Sequence, residues 1–354
     1  MKKTGVSSDD HRVRLAVIGV GLIGRQHVEI AARTKECRLV AISDVDAGVK
    51  QKADELGTKY YGDYREMIDE NELDGVIVSV PNNQHATVGA HCAEKGLHIL
   101  VEKPVATSVE EADRLVAAAK RNHVQLLVGH HRRFNPAIEE AHRIVRGGEL
   151  GRLVGVTVMW ALLKSDEYFQ FPWRTKKGAG PILNNLTHEI DSLRYICGDI
   201  KRVYAEKSHE VRGYEVEDTA NMTFRFAGGA MGSVFMSDCV VSPWAYELTT
   251  GEVTKYFHSG ENCYYFMGTK ASLTFPHLKK VFYPDPARSG WFQPLVVEDV
   301  NVSYWNPYEK QIAHFCRVIR GEEMPRTDGE DGKKTMEVTM AIFKSCETGE
   351  PVDL

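Results

Sequence analysis

The chain has 354 residues, 43% of them hydrophobic and 26% charged, with a formal net charge of -5. That length suits two ordinary globular cores, and the mild negative charge excludes nucleic acid and anionic membranes as expected partners. The basic pairs Arg132-Arg133, Lys176-Lys177, Lys279-Lys280 and Lys333-Lys334 are scattered and read as solvated surface. Seven cysteines (Cys37, Cys92, Cys197, Cys239, Cys263, Cys316, Cys346) form no C-x-x-C pair, which points to a reducing compartment and away from a disulfide framework or thiolate zinc site. The opening MKKTGVSSDDHRVR lacks the apolar stretch of a secretory signal, and no window approaches 18 uninterrupted apolar residues, so the expected location is the cytoplasm.

From residue 13 to 129, short β-branched runs (Leu15–Gly19, Arg38–Ser43, Gly75–Val80, His98–Val101, Val124–Gly129) alternate with longer stretches of helical spacing (Leu22–Arg33, Asn83–Lys95, Val109–Arg121). Parallel neighbours need crossovers of a dozen or more residues, and Val76-Ile77-Val78 is apolar on both faces, so the rhythm predicts a doubly wound α/β sheet. Beyond residue 150 the strand-like stretches lengthen and alternate: Leu153–Leu163, Thr219–Phe226 and Ala230–Val240, the last two joined by a hairpin at Ala227-Gly228-Gly229. Helical segments Tyr308–Arg320 and Gly332–Glu347 close the chain, stopped by Gly321 and by Gly349 with Pro351. The expected architecture is an N-terminal Rossmann domain over 10–129 and a C-terminal α+β domain over 130–354. The second domain is expected to carry a large open, mostly antiparallel sheet.

Gly19-Val20-Gly21-Leu22-Ile23-Gly24 is a G-x-G-x-x-G placed directly between a strand and a helix. Gly19 permits the tight turn, Gly21 lets backbone approach a pyrophosphate, and Gly24 allows close helix–strand packing, with the helix N-terminus facing the phosphates. Asp44 ends the second run 20 residues beyond Gly24, where a carboxylate accepts from the adenosine ribose hydroxyls and repels a 2′-phosphate. Neither Val45 nor Asp46 offers the arginine that would welcome that phosphate. NAD is therefore the expected cofactor, and a glycine turn with no ligand is the bland alternative.

Glu102-Lys103-Pro104 follows the His98–Val101 run, at the end of a parallel strand where ligands collect. Lys103 there can stabilise developing alkoxide charge, although a strand-end lysine by itself is more often plain surface. Asn184, His188 and Asp191 fall at i, i+4 and i+7 on one helical face, opposite an apolar stripe of Ile182, Leu186, Ile190 and Leu193. Simple solvation would also explain that polar face, but histidine suits proton exchange near neutrality. Arg174 is read either as a clamp for a carboxylate or sugar oxygen or as a bystander. His130 and His131 are read as packed or solvated residues first and substrate contacts second. Trp244, Tyr246, Tyr256, Phe257, Tyr264, Tyr265 and Phe266 read as sheet packing or a subunit contact ahead of a sugar-stacking platform. No His, Asp or Glu cluster has metal-ligand spacing, so no metal is expected.

Together these segments resemble the Gfo/Idh/MocA family, the glucose–fructose oxidoreductase and inositol dehydrogenase group. The resemblance rests on the glycine loop, Pro81-Asn82 with His85, Glu102-Lys103-Pro104, Gly129–Pro136, Trp173-Arg174, the Gly178–Asp191 helix and Phe315–Gly349. It implies that Pro81, Asn82, His85, Glu102 and Lys103 join Gly19, Gly21, Leu22, Ile23, Gly24 and Asp44 around the cofactor. It further implies that Lys103 and His188 flank the reacting carbon, and that a homodimer or homotetramer forms through the C-terminal sheet. Asn184, Asp191, Arg174 and His131 are the candidate substrate ligands. Two departures stand out: Asn184 replaces the aspartate that many polyol dehydrogenases of the family carry, and Leu186 replaces a usual glycine.

The leading reading is an NAD-dependent oxidoreductase acting on a secondary alcohol or ketone of a sugar, cyclitol or related polar molecule. The alternatives are an NAD-dependent glycosidase using transient oxidation on the same fold, and a non-catalytic NAD-binding regulator.

Overall fold

The computed structural model describes residues 11–354. Residues 1–10, where the sequence reads no secretory signal and where the expected first domain begins, lie outside the described residues. Runs that are apolar on both faces pair as a six-stranded parallel sheet. Its strands are β1 (Val13–Ile18), β2 (Cys37–Ser43), β3 (Lys59–Tyr61), β4 (Gly75–Val78), β5 (His98–Val101) and β6 (Leu126–Val128), in the order β3-β2-β1-β4-β5-β6. The crossovers carry α1 (Leu22–Arg33), α2 (Lys50–Leu56), α3 (Tyr64–Glu70), α4 (His85–Glu94) and α5 (Val109–Arg121). Strand order reverses between β1 and β4, which opens a crevice at their carboxyl ends. The predicted limits of α1 and α5 agree with the structure. Strand β3 was not anticipated, because Lys59-Tyr60-Tyr61 is short and shows no apolar run.

The alternating stretches after residue 150 build a nine-stranded sheet. Its strands are β7 (Leu153–Ala161), β8 (Ile200–Ser208), β9 (Thr219–Phe226), β10 (Met231–Ser237), β11 (Tyr264–Gly268), β12 (Ala271–Phe275), β13 (Lys279–Phe282), β14 (Val296–Asp299) and β15 (Val352–Asp353). The order is β14-β13-β12-β11-β7-β10-β9-β8-β15, and only the β7–β10 pair is parallel. The predicted hairpin joins β9 to β10, with Gly229 at φ +86 donating its N–H to the Phe226 carbonyl. One face buries Val156, Val158, Trp160, Phe224 and Val234 against α6 (Pro136–Arg146) and α7 (Thr187–Cys197) through Ile138, Ile144, Ile190 and Leu193. Pleating turns Thr157, Ser233 and Thr223 to the other face, where Met231 and Phe235 are exposed beside a shallow groove of about 470 Å³. A short helix, α8 (Tyr246–Thr249), follows β10.

The chain then corrects the expected boundary. Helix α9 (Pro307–Ile319), predicted as part of the C-terminal domain, belongs to the first unit, which comprises residues up to His131 and Pro307–Lys333. Its Tyr308, Ile312 and Phe315 join the core of Leu15, Val17, Ile77 and Leu100. Sequence periodicity shows that α9 has a buried face but not which sheet buries it. The last helix, α10 (Gly329–Thr348), starts in the first unit and continues in the second.

The boundary can be read optically, because all five tryptophans lie in the second unit. Phe315→Ala removes a ring that is fully buried in the first core and should cost about 3–5 kcal/mol. In urea, circular dichroism should then show a transition that precedes the one seen by tryptophan fluorescence. Equal shifts of both probes would contradict the assignment of α9.

Candidate functional site

The first unit presents a phosphate cradle. Gly19 turns the chain at φ +85, and its carbonyl accepts from the Ser79 hydroxyl at 2.7 Å. A Cβ on Gly24 would lie 2.0 Å from the Gly19 carbonyl oxygen, so α1 can approach β1 only with glycine there. A Cβ on Gly21 would meet nothing within 4 Å, which leaves its side open to a ligand. Gly21 supplies no side-chain cap to α1, so the first amides of the helix keep their capacity for an anion. Leu22 is 80% exposed beside half-buried Ile23, an arrangement that fits a surface covered by a bound molecule. Asp44 accepts the Val20 amide at 2.6 Å and the Asp46 amide at 2.8 Å. Each carboxylate oxygen retains a further lone pair for a ribose hydroxyl. Pro81 and Asn82 follow β4 on the next strand end, exposed and half-buried respectively. These residues fit a dinucleotide.

Two expected cofactor contacts have other work. His85 is buried, with Nδ1 2.7 Å from the Pro104 carbonyl and Nε2 2.9 Å from that of Val80, so both ring nitrogens are engaged within the protein. Burial lowers its pKa in spite of those carbonyls. Glu102 is hydrogen-bonded to His27, Oε1 to Nε2, at 2.7 Å. Desolvation pushes its carboxyl up, but the His27 bond and the fields of His27, His131 and Lys103 outweigh it and hold the pKa at about 2. Lys103 stands immediately beyond β5, half-buried, with its backbone N–H donating to Glu102 Oε2 at 3.2 Å. His131, an expected substrate ligand, is buried and stacked on Tyr308 at 4.2 Å, with His27 edge-on to the same ring at 5.6 Å. That stack packs His131 against the Tyr308 ring of α9.

In the second unit, the expected apolar stripe of Ile182, Leu186, Ile190 and Leu193 is fully buried. The opposite face is not solvated as the bland reading had it, since His188, Glu189, Asp191, Ser192 and Arg194 are buried too. The reason is Arg132-Arg133, which the sequence reads as surface. Arg132 donates to Glu189 at 2.5 Å and Glu247 at 2.9 Å and lies 3.6 Å over the Tyr246 ring. Arg133 grips both oxygens of Asp191, at 2.6 and 2.9 Å. Asp191, expected from its spacing as a ligand for a substrate hydroxyl or ammonium, is an ion-pair partner of Arg133. The turn before α7 is a π-helix over Ile182–Leu186, which widens the expected i, i+4 relation of Asn184 to His188. Asn184 donates its amide to the Ala179 carbonyl at 2.7 Å. Gly180 leaves room for Glu217, whose Oε1 accepts the Ile182 amide at 2.8 Å.

Arg174 lies in a 3-10 turn over Pro172–Thr175, donating Nη1 to the Tyr168 carbonyl at 2.8 Å. Lys164 escaped the sequence reading. It reaches Asn185 Oδ1 at 3.1 Å and Asp238 at 3.2 Å, and burial lowers its pKa despite Asp238. An isolated lysine after a strand carries no signal of burial; its apolar approach (Trp160-Ala161-Leu162-Leu163) was the available hint. Among the described residues no group of three or more His, Cys, Asp or Glu is arranged to hold a metal, and no helix is long and apolar enough to cross a membrane.

The depressed Glu102 pKa makes a signed prediction. A carboxylate held at about 2 contributes stability that is complete above its unfolded pKa near 4.5 and is lost as pH falls toward 2. The gap in unfolding free energy between wild type and Glu102→Gln should therefore be widest above pH 5. It should narrow by about 3 kcal/mol on acidification. A gap independent of pH in urea titrations would show that the carboxyl is not held ionised.

Residues 13–130 match the family described as "Oxidoreductase family, NAD-binding Rossmann fold", and residues 138–274 match the "GFO/IDH/MocA C-terminal domain". The chain is similar to the myo-inositol 2-dehydrogenase of Thermotoga maritima, 25% identical over 97% of this chain and 98% of that protein. It is 26% identical to the D-xylose 1-dehydrogenase (NADP(+)) 2 of Haloferax volcanii over 96% of this chain and 98% of that protein. The crystal structure of the WlbA dehydrogenase from Bordetella pertussis, in complex with NADH and UDP-GlcNAcA, shares the fold. Its TM-score is 0.77 at 23% identity, over 97% of this chain and 99% of that one. Matched by sequence in both of its units, the chain is an oxidoreductase of the Gfo/Idh/MocA family.

Proposed function

We propose that this protein transfers hydride between NAD and a secondary alcohol or ketone of a sugar, cyclitol or related polar small molecule, with Lys103 and His188 as its catalytic residues. The observation that carries the reading is the imidazole of His188, set on a buried helix whose neighbouring acids are already committed to arginines. With Glu189 and Asp191 each held by an arginine, the histidine is suited to exchange a proton near neutrality. The nicotinamide, when bound, takes or returns the hydride. His188 accepts the hydroxyl proton as the alcohol is oxidised, and returns it in the reverse direction. Lys103 donates a hydrogen bond to the same oxygen and stabilises its developing negative charge. Asn184 and Arg174 face the substrate's remaining polar groups in this reading, and the open face of the nine-stranded sheet serves self-association into a homodimer or homotetramer. Nothing observed favours the glycosidase alternative.

Absorbance at 340 nm with a panel of polyols, sugars and hydroxy acids tests the reaction class. Lys103→Ala and His188→Ala should each lose at least about 100-fold in kcat, with NADH binding retained by fluorescence titration. Normal turnover in either variant would remove that residue from the mechanism.

Asp44 supports NAD in preference to NADP as the cofactor. Its carboxylate accepts from the ribose and repels a 2′-phosphate, and Asp44→Asn keeps the shape while removing the charge. The NADH over NADPH preference should shrink by roughly tenfold, the equivalent of 1.4 kcal/mol. A wild-type protein that binds NADPH as tightly as NADH would overturn the assignment.

A further inference from the structure

We propose that the second unit carries a receptor for an oxyanion substituent of the substrate, formed by Arg174 and Lys164, which share the ring of Tyr168. The compound oxidised or reduced is then a sugar acid or sugar phosphate and not a neutral polyol. The inference rests on the dehydrogenase reading for its reaction and on this cluster for its specificity.

Arg174 is held in a cage of three rings, its guanidinium carbon 4.1 Å from the centroid of Tyr168, 4.7 Å from Phe171 and 5.2 Å from Trp173. Nη1 is committed to the Tyr168 carbonyl, which orients the group. The opposite edge, Nε with Nη2, meets no acceptor among the described residues, and Nε is fully buried. No carboxylate of the described residues comes within salt-bridge distance of Arg174. That edge is the one that binds planar carboxylate or phosphate oxygens in parallel pairs. A desolvated cationic N–H left without an acceptor is costly, and such donors persist where a ligand completes them.

Lys164 supplies the second cation. Its ammonium lies 4.7 Å from the centroid of the same Tyr168 ring and 5.4 Å from that of Trp160. Its counter-ion is shared, because Asp238 also pairs with Arg212 at 3.2 Å. Lys164 and Arg212 thus divide one buried carboxylate between them, with Glu247 adding to the field at Lys164. Asp166 is fully exposed and 3.9 Å from Arg212, Asp218 gives one oxygen to the backbone amides of Val211 and Arg212, and Glu217 caps Ile182. None of these carboxylates pairs with Arg174, so its Nε–Nη2 edge suits an anionic group. The cluster is tied to the chemistry through Asn185, which accepts from Lys164 and precedes His188 by three residues, one helical turn.

The test uses matched compounds on the full chain loaded with NADH or NAD: D-glucose, D-glucuronate and glucose 6-phosphate; D-galactose and D-galacturonate; D-xylose and D-xylonate. Binding is followed by calorimetry on the NADH-loaded protein and turnover by absorbance at 340 nm. At least one charged member should bind tenfold or more tightly than its neutral partner. Arg174→Met and Lys164→Met should each cut that preference by about tenfold, through KM more than kcat, and Arg174→Lys should not restore it because ammonium has no fork. Glucuronate and glucose 6-phosphate separate carboxylate from phosphate. Neutral compounds that bind as well as their charged partners, or a preference untouched in Arg174→Met, would overturn the receptor. Anion binding that depends on Arg174 without any turnover would uphold it and count against the dehydrogenase reading instead.

Discussion

Two consecutive arginines hold the second unit's chemistry in place. On an α-helix, residues two apart project about 200° apart around the axis, so Arg132 on Glu189 and Arg133 on Asp191 restrain α7 from two sides. Rotation of the helix would break both pairs at once. Each lost partner would leave a buried charge uncompensated, at a cost of about 3–5 kcal/mol. His188 immediately precedes Glu189 on the same helix, so the ion pairs that fix the helix also fix the backbone that carries its imidazole. The arrangement also limits the charge it buries. Burial pushes the Glu189 carboxyl up to about 7 even though Arg132 opposes the shift, and Glu247, bound to the same arginine, adds to it. One guanidinium therefore serves two carboxyls, and Trp160 completes Glu247 with an indole N–H at 2.9 Å.

The first unit solves a related problem with the opposite outcome. Glu102 is as deeply buried, yet it stays ionised because the His27 bond and three positive fields converge on it. Its oxygens approach Gly129 so closely that a Cβ there would lie 2.9 Å away. That carboxylate ties the end of β5 to α1 through His27. His85 links the Val80 and Pro104 carbonyls in the same way. The residues flanking the cofactor loops thus act mainly on one another and fix the strand ends on which a dinucleotide would rest.

Much of this was legible in the sequence wherever function demands a local pattern. The glycine loop, Asp44 and the β-α alternation predict the parallel sheet, because tight turns and two-sided burial constrain residues in succession. What escaped reading depends on partners far apart in the chain. Arg132-Arg133 looks like any exposed basic pair until Glu189, Asp191 and Glu247 are brought to it. Asp191 looks like a ligand because spacing reports a face and not what covers it. Helix α9 shows an apolar stripe without naming the sheet that buries it, and so it was placed in the wrong unit. Lys164 and Asp238, 74 positions apart in the numbering, meet only after β7 pairs with β10.

Asn184 shows how a single departure from the family pattern follows from local structure. The amide nitrogen at this position donates to the Ala179 carbonyl, inside the turn that precedes the π-helical stretch. An aspartate cannot make that bond and would set its charge against a carbonyl oxygen. Leu186, in place of a glycine, fills the core two residues before His188. The two replacements work together: one ties down the turn, and the other packs the wide helical segment against the sheet. On the proposed reading proton exchange then rests with His188, because an amide at 184 carries no titratable proton.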